Sequence, residues 1–285
     1  MIDLHTHTNE SDGTYSPARI AEEAAALELE AVAITDHDTL AGYDKAAPRA
    51  RELGLDLVCG IELSTKLNGK TVHLLGYFLS RPPSEEFRTW ILDMQESRRD
   101  RNRRLLERLR SLGIELTLEE VTRKGRNMTG RPHFAKAMLE KGYVATIQEA
   151  FDRYLDESAQ GYVDRREPLL SEGIERIKAG GGLTSIAHPV RMGKYGREQM
   201  RELMGQMKDI GLDAIEVYHS DHRPRDVEQY LELARELDLG ITGGSDFHGE
   251  AKPGVKLGTG PGALHIERSV LDRLRALPSK HRDAQ

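Results

Sequence analysis

Asp3-Leu4-His5-Thr6-His7-Thr8-Asn9-Glu10-Ser11-Asp12-Gly13 starts as a short apolar strand and leaves it through two histidines. Residues two apart in a strand point to the same side, so the imidazoles of His5 and His7 can converge on one ion, with Asp12 just beyond. Histidine is the commonest neutral ligand of first-row metals, and carboxylates complete such sites. A lone His-x-His pair carries little weight. The placing of the other His, Asp and Glu residues decides what it means.

Outward from there, Ser16-Pro17 reads as a helix start, with Ser at the cap and Pro at the first helical position; the helix runs to about residue 29. A short buried strand at 31–35 ends in Asp36-His37-Asp38, and a helix at 40–53 stops at Gly54. Strands follow at 55–61, ending in Glu62, and at 72–79, with His73 near its start. Strand and helix alternating through short connections predict parallel βα units. From 82 to 163 the chain reads helical, with a long amphipathic pattern at 85–112 and shorter helices at 118–123, 132–141 and 147–155. The rhythm then resumes. Strands at 183–187, 214–218 and 240–243 lead into His188-Pro189, into His219 and His222, and into Gly244-Ser245-Asp246-Phe247-His248. Helices at 170–179, 197–210, 224–237 and 269–277 separate and follow them, before a frayed tail at 278–285. Seven strands in this pattern predict an α/β fold, a closed or nearly closed (β/α) barrel of residues 1–81 and 164–285, with 82–163 inserted as a helical lid.

A chain of 285 residues is long enough for one such domain with an insertion. The formal net charge of −6 argues against a general duplex-DNA binder. Charge is uneven, however: residues 98–136 hold twelve Lys and Arg against five Asp and Glu, which predicts an anionic ligand near that segment. The single cysteine, Cys59, excludes an internal disulfide and a thiolate cluster. No apolar run is long enough to predict a membrane span and no basic-then-apolar N-terminus predicts export, so the expected compartment is the cytoplasm.

Nine candidate metal ligands stand out: His5, His7, Asp12, His37, Glu62, His73, His188, Asp246 and His248. Most fall at strand ends, where barrels of this kind place their chemistry; His73 is the exception, early in its strand. Nine are too many for one ion, and two or three divalent ions bridged by carboxylates use them all. Nitrogen and oxygen donors suit Mn, Fe or Zn. Ions about 3.5–4 Å apart lower the pKa of a bridging water and clamp phosphoryl oxygens, which fits a basic insertion.

Five motifs in this order resemble the PHP family, the polymerase and histidinol phosphatase domains. They are Asp3-Leu4-His5-Thr6-His7 with Ser11-Asp12-Gly13, Ile34-Thr35-Asp36-His37-Asp38, Gly60-Ile61-Glu62, Ala187-His188-Pro189 and Gly244-Ser245-Asp246-Phe247-His248. The resemblance covers nearly the whole chain. It implies a distorted (β/α)7 barrel with three divalent ions. His5, His7, Glu62 and Asp246 would hold the first, Glu62, His73 and His188 the second, and Asp12, His37 and His248 the third. Histidinol-phosphatase-like members tend to carry His where this chain has Asp12. Asp there, with a helical insertion, resembles the branch that includes the nucleoside 3′,5′-bisphosphate phosphatases, some relatives of which trim short RNA from its 5′ end. The stretch Thr129-Gly130-Arg131-Pro132-His133-Phe134-Ala135 matches that branch in outline.

The activity this implies is hydrolysis of the 3′-phosphate of nucleoside 3′,5′-bisphosphates by a hydroxide bridging two ions, with no covalent intermediate. Arg131 is the expected phosphate clamp, because a guanidinium fork matches phosphate oxygens bidentately. Asp246 is expected also to orient or deprotonate the water, and His222 to protonate the leaving oxygen. His133 and His222 are further candidates for substrate contact, His133 serving equally as a helix-cap histidine facing water. His219 and His265 read as structural, His281 as tail. Three alternatives stand beside this reading. One is a 5′-3′ exoribonuclease on short oligonucleotides. Another is a metal-dependent amidohydrolase, although such enzymes commonly bridge metals with a strand-end lysine and this chain offers Glu62. The last is a non-catalytic module of the kind attached to DNA polymerases, against which a full ligand set argues. Base preference has no signal, since Phe134, Tyr143, Phe151 and Tyr154 serve as easily for the core of the insertion.

Overall fold

Seven strands lie side by side in chain order in a single sheet: β1 (Ile2–Asp3), β2 (Ala31–Ile34), β3 (Asp56–Leu67), β4 (Lys70–Phe78), β5 (Leu183–Ile186), β6 (Ala214–His219) and β7 (Gly240–Gly244). This is a computed structural model, and it describes residues 1–125, 129–164, 167–193, 195–262 and 264–277. The expected tail at 278–285, with His281, lies outside the described residues. The two margins of the sheet meet. Leu4 N–H donates to Gly243 O at 3.1 Å, Asp246 N–H to His5 O at 2.8 Å and His7 N–H to Phe247 O at 2.9 Å. A nearly closed seven-stranded barrel results.

β4 departs from the expected all-parallel order. It runs antiparallel to both β3 and β5, whereas the other pairs are parallel. β3 does not end at Glu62 either; it continues to Leu67 and turns at once through Asn68 and Gly69. Those two residues hold φ of 50° and 77°, the left-handed pair that a two-residue hairpin turn requires and that Asn and Gly adopt at least cost. The reversal accounts for His73. Because β4 runs backwards, its beginning lies at the end where the parallel strands finish, and His73 sits opposite Ser64, two residues past Glu62.

The helices are α1 (Pro17–Ala26), α2 (Ala41–Glu52), α3 (Glu85–Ser111), α4 (Leu118–Gly125), α5 (Arg131–Glu140), α6 (Ile147–Ala150), α7 (Leu170–Ala179), α8 (Arg197–Ile210), α9 (Pro224–Glu236) and α10 (Arg268–Ala276). β2 shows how strand and helix share a core. Ala31 and Ala33 point into the interior with Ile2, Leu4, Leu75 and Tyr77, while Val32 and Ile34 face Ile20 and Ala24 of α1 and Ala46 of α2. The buried Tyr77 hydroxyl donates to Leu4 O at 2.9 Å, so its polar end is satisfied.

The chain divides into two compact units, Met1–Thr89 with Glu167–Gln285, and Trp90–Arg166. The second has its own core. Leu105 and Leu109, one turn apart on α3, join Val121, Phe134 and Met138 of α4 and α5, with Tyr154 and Leu155. Tyr143 and Phe151 pack partly buried on the same cluster. Of the four aromatics singled out from the sequence, Phe134 and Tyr154 are therefore core residues of this unit and Tyr143 and Phe151 flank that core. Among the described residues, no helix is long and apolar enough to cross a membrane.

Closure of the barrel brings one glycine against the site. At Gly244 a β-carbon would fall 2.3 Å from both the backbone N and the Cβ of His5. Gly244→Ala is expected to cost about 1–3 kcal/mol through this overpacking. Urea unfolding of the metal-free protein checks it, and an unchanged midpoint would contradict the close approach.

Candidate metal centre

Glu62, buried within β3, is surrounded by five histidines. Its Oε2 lies 3.3 Å from His5 Nε2, 3.1 Å from His7 Nε2 and 3.2 Å from His37 Nδ1. Its Oε1 lies 2.9 Å from both His73 Nδ1 and His188 Nε2. Asp246 Oδ1 stands 3.6 Å from His5 Nε2 and 3.4 Å from His7 Nε2. On the other side, Asp12 faces His248 Nε2 at 3.2 Å, His7 Nδ1 at 3.7 Å and His37 Nε2 at 3.8 Å. All nine residues singled out from the sequence thus converge in the first unit. Their grouping differs from the implied one: His7 falls with Asp12, His37 and His248, and His5 with Glu62 and His188, while His73 falls with Glu62 and His37. His37 stands between Glu62 and Asp12 rather than beside Asp12 alone, and His219 joins His5 and Asp246.

Whether these side chains suit a metal is decided by their lone pairs. His5 Nδ1 lies 2.8 Å from Glu216 Oε1, and His248 Nδ1 lies 2.8 Å from the carbonyl of Asp246. Carbonyl and carboxylate oxygens only accept here, so each Nδ1 carries a proton, and in the neutral ring that a metal requires each Nε2 presents a lone pair. Those lone pairs face carboxylate oxygens at 3.3 and 3.2 Å. Two acceptors at such a distance repel unless a cation or a further proton lies between them. Moreover His5 Nε2, both ring nitrogens of His7, His37 Nδ1 and His73 Nδ1 are buried with no hydrogen-bond partner. Buried polar atoms rarely go unsatisfied. The donor set fits divalent ions bound by nitrogen and oxygen.

Backbone and side chains behind the cluster hold it in place. Asp36 accepts from Thr8 N at 2.7 Å, Thr8 Oγ1 at 2.7 Å and Ser11 Oγ at 2.6 Å, pinning the loop that presents Asp12. Asp3 accepts from Ser245 N and Oγ and from Gly258 N, fixing the turn into Asp246. Glu216 accepts from both His5 Nδ1 and His188 N, so one carboxylate orients two candidate ligands. His188 and Asp246 themselves hold positive φ, 27° and 57°, a strain that clusters at functional sites.

Charge follows from this crowding. Burial opposes ionisation of Glu62, but His37, His73 and His5 outweigh it and hold the carboxyl well below its usual range. Asp12 and Asp246 are held down in the same way against burial, chiefly by His37 and by His5 respectively. Asp246 is therefore a poor base, contrary to the expectation that it deprotonates water. Burial lowers His188 to about 4, so it stays neutral as a ligand must. For His7, burial is outweighed by Asp246 and Glu62, which hold it up at about 9.

The remaining candidates sit elsewhere. Arg131 and His133 belong to the second unit, on the first turn of α5. Arg131 donates to Leu155 O at 3.2 Å and lies over the Tyr162 ring at 5.6 Å. His133 is buried rather than facing water, and its Nδ1 accepts from Gly130 N at 3.0 Å, capping the helix. His222, in the first unit, donates through Nδ1 to Val217 O at 2.8 Å, and burial lowers it. At neutral pH it offers a lone pair rather than a proton, contrary to its expected role as acid. Sequence reasoning missed Glu216, Arg191 and Lys252 and took His219 as merely structural. Glu216 had a signal, a carboxylate inside the apolar run Ala214–Tyr218. Arg191 and Lys252, which donate to Asp246 Oδ2 at 3.0 and 2.7 Å, each follow a ligand histidine within four residues.

Comparison with known proteins agrees with this geometry. The family model of the PHP domain matches residues 3–166. A 5′-3′ exoribonuclease of Haemophilus influenzae is 31% identical over 86% of this chain and 89% of its own length. A 3′,5′-nucleoside bisphosphate phosphatase of Chromobacterium violaceum is 31% identical over 90% of each chain. A solved Bifidobacterium adolescentis chain, assigned to the metal-dependent phosphoesterases, is 33% identical over 96% of this chain and 95% of its own, with a TM-score of 0.79.

Two outcomes are expected of the centre. Glu216→Ala should weaken divalent-metal affinity about 10- to 100-fold, read by calorimetric titration, since it frees the rings of ligands it does not itself replace. Metal affinity should also rise with pH. The proton on His7 stabilises the metal-free fold fully below its ordinary value of 6.5 and is lost as pH rises through about 9, so metal displaces it more easily across that window. A chelator-competition titration showing flat affinity from pH 6.5 to 9 would contradict this.

Proposed function

The chain belongs to the PHP domain family and is a metal-dependent phosphoric ester hydrolase; on that premise we propose that its substrate is a nucleoside 3′,5′-bisphosphate, from which it removes the 3′-phosphate. The observation that carries the proposal is the shared carboxylate of Glu62 amid five histidines, which suits three divalent ions of Mn, Fe or Zn held by the nine residues named above. When bound, such ions supply a nucleophile at neutral pH and offset charge on the phosphoryl oxygens.

The chain's own residues do the rest. Asp246 acts by orientation: its Oδ2 takes hydrogen bonds from Arg191 and Lys252, leaving Oδ1 toward His5 and His7. The helical unit contributes an excess of basic residues that draws an anionic substrate. Arg131 clamps a phosphate from that unit. His222, its Nδ1–H held by Val217 O and its Nε2 buried without a partner, is assigned no proton to give the leaving group. His133 supports the clamp by capping the helix that carries Arg131. The names of the Haemophilus exoribonuclease and the Chromobacterium bisphosphate phosphatase favour phosphoester bonds over the C–N bond of an amidohydrolase.

A second reading, 5′-3′ exoribonuclease on short RNA, is favoured by the Haemophilus relative. Against it, Phe134 and Tyr154 are buried in the core of the helical unit, and Tyr143 and Phe151 pack their rings onto that core. Proteins that track single strands commonly stack bases on aromatic side chains, so these four offer no such platform. Phosphate release from adenosine 3′,5′-bisphosphate with added Mn²⁺ tests the choice. The expected product is 5′-AMP, and Arg131→Ala should lose about 2–4 kcal/mol of transition-state stabilisation, with Arg131→Lys controlling for its bond to Leu155 O. If the bisphosphate survives while a short 5′-phosphorylated RNA is shortened, the nuclease reading replaces this one.

A further inference from the structure

His219, the last residue of β6, lies against the metal centre but outside its nine candidate ligands. Its ring centroid is 5.9 Å from that of His5 and 5.3 Å from that of His188. Its Nε2 stands 3.3 Å from Asp246 Oδ2, and with His5 and Asp246 it has the spacing of a metal triad. Proximity alone would make it a tenth ligand. The other ring nitrogen argues otherwise. Asp221 N–H donates to His219 Nδ1 at 3.0 Å. A nitrogen that accepts carries no proton, so the ring hydrogen is on Nε2, which then has no lone pair for a metal. His5 and His248 show the opposite arrangement, Nδ1 donating and Nε2 open.

Three donors then address the same oxygen. Arg191 Nη2 and Lys252 Nζ donate to Asp246 Oδ2 at 3.0 and 2.7 Å, and His219 Nε2 faces the same oxygen at 3.3 Å, an ion-pair contact without the alignment of a hydrogen bond. Asp246 Oδ1 is the atom that faces His5 and His7. We propose that His219 is a positioning residue rather than a metal ligand: its Nε2–H edge, set against Asp246 Oδ2 beside the hydrogen bonds from Arg191 and Lys252, biases that carboxylate to keep Oδ1 for the ion. This arrangement also gives a reason for the positive φ of Asp246, since a residue in that conformation persists only where its surroundings over-determine it. The proposal rests on the metal-centre reading above and adds to it three residues that the ligand set omits.

The test reads the ring and the metal separately. In long-range ¹⁵N–¹H spectra of histidine-labelled protein, metal-free and loaded with diamagnetic Zn²⁺, His219 is identified by its loss in His219→Gln. Protonated Nε2 and bare Nδ1 in both states are expected. Loss of the Nε2 proton on loading overturns the proposal. Calorimetric Zn²⁺ titration should show the same number of ions per chain in wild type, His219→Gln and His219→Ala. Affinity should fall at least about 10-fold in the alanine variant and recover in the glutamine variant, whose amide can donate in place of Nε2–H. One ion fewer in either variant, or equal weakening in both, overturns it. Should His219→Ala not fold, the wild-type spectra and the glutamine titration still decide. None of these readouts uses a substrate, so failure of the bisphosphate reading leaves them untouched.

Discussion

One buried carboxylate constrains the rest of the molecule. Glu62 lies in a barrel interior where an unpaired charge is expensive, yet five imidazoles approach its two oxygens within 3.3 Å. One of those approaches, His188 Nε2 to Oε1, is a hydrogen bond, but the other four are not. Against burial, Glu216, Glu62 and Asp246 hold His5 well above its usual value, so without a metal it keeps a second proton on Nε2 while Nδ1 donates to Glu216. A cluster so arranged is costly without cations and favourable with them. Metal binding and the fold of the barrel mouth are therefore coupled, since the same side chains enter both balances.

Much of the local architecture follows from delivering ligands to that point. Strand ends supply His37, His188 and Asp246. The β3–β4 hairpin supplies Glu62 and His73 from two strands of opposite direction, which a purely parallel barrel could not do at those positions in the sequence. Gly244 lets β7 approach the backbone of His5 closely enough to close the sheet. Behind the ligands, Asp3, Asp36 and Glu216 spend their hydrogen bonds on backbone amides and on His5, converting mobile loops into fixed donors.

The barrel and the convergence of the nine residues were legible because both rest on short-range regularities. His-x-His on a strand, strands alternating with helices, and acids or histidines just past apolar runs can each be seen in a few residues. The reversal of β4 was legible too, in Asn68-Gly69 between two apolar runs, but the regular βα rhythm on either side masked it. His73 then looked misplaced although only the strand direction was. Tautomers were beyond the sequence. Whether His219 donates or ligates depends on one amide two residues away, and nothing in the spacing of histidines reports it. Glu216 lay between these extremes, a charged residue in a strand otherwise apolar, whose partner 211 positions earlier only the fold reveals. The helical unit followed the same division. Its amphipathic periodicity marked the helices, while the packing of its aromatics into a core was a matter of three-dimensional contact.

The most direct measurement is the metal content of the protein, purified without chelator, beside that of Glu62→Gln. Glutamine keeps the shape of the side chain and removes the charge that the histidines share. The account predicts near-stoichiometric divalent ions in the wild type and a marked loss in the variant, with phosphoester hydrolysis falling in step. A wild-type protein that hydrolyses phosphate esters without bound metal, or a variant that keeps its full complement, would contradict it.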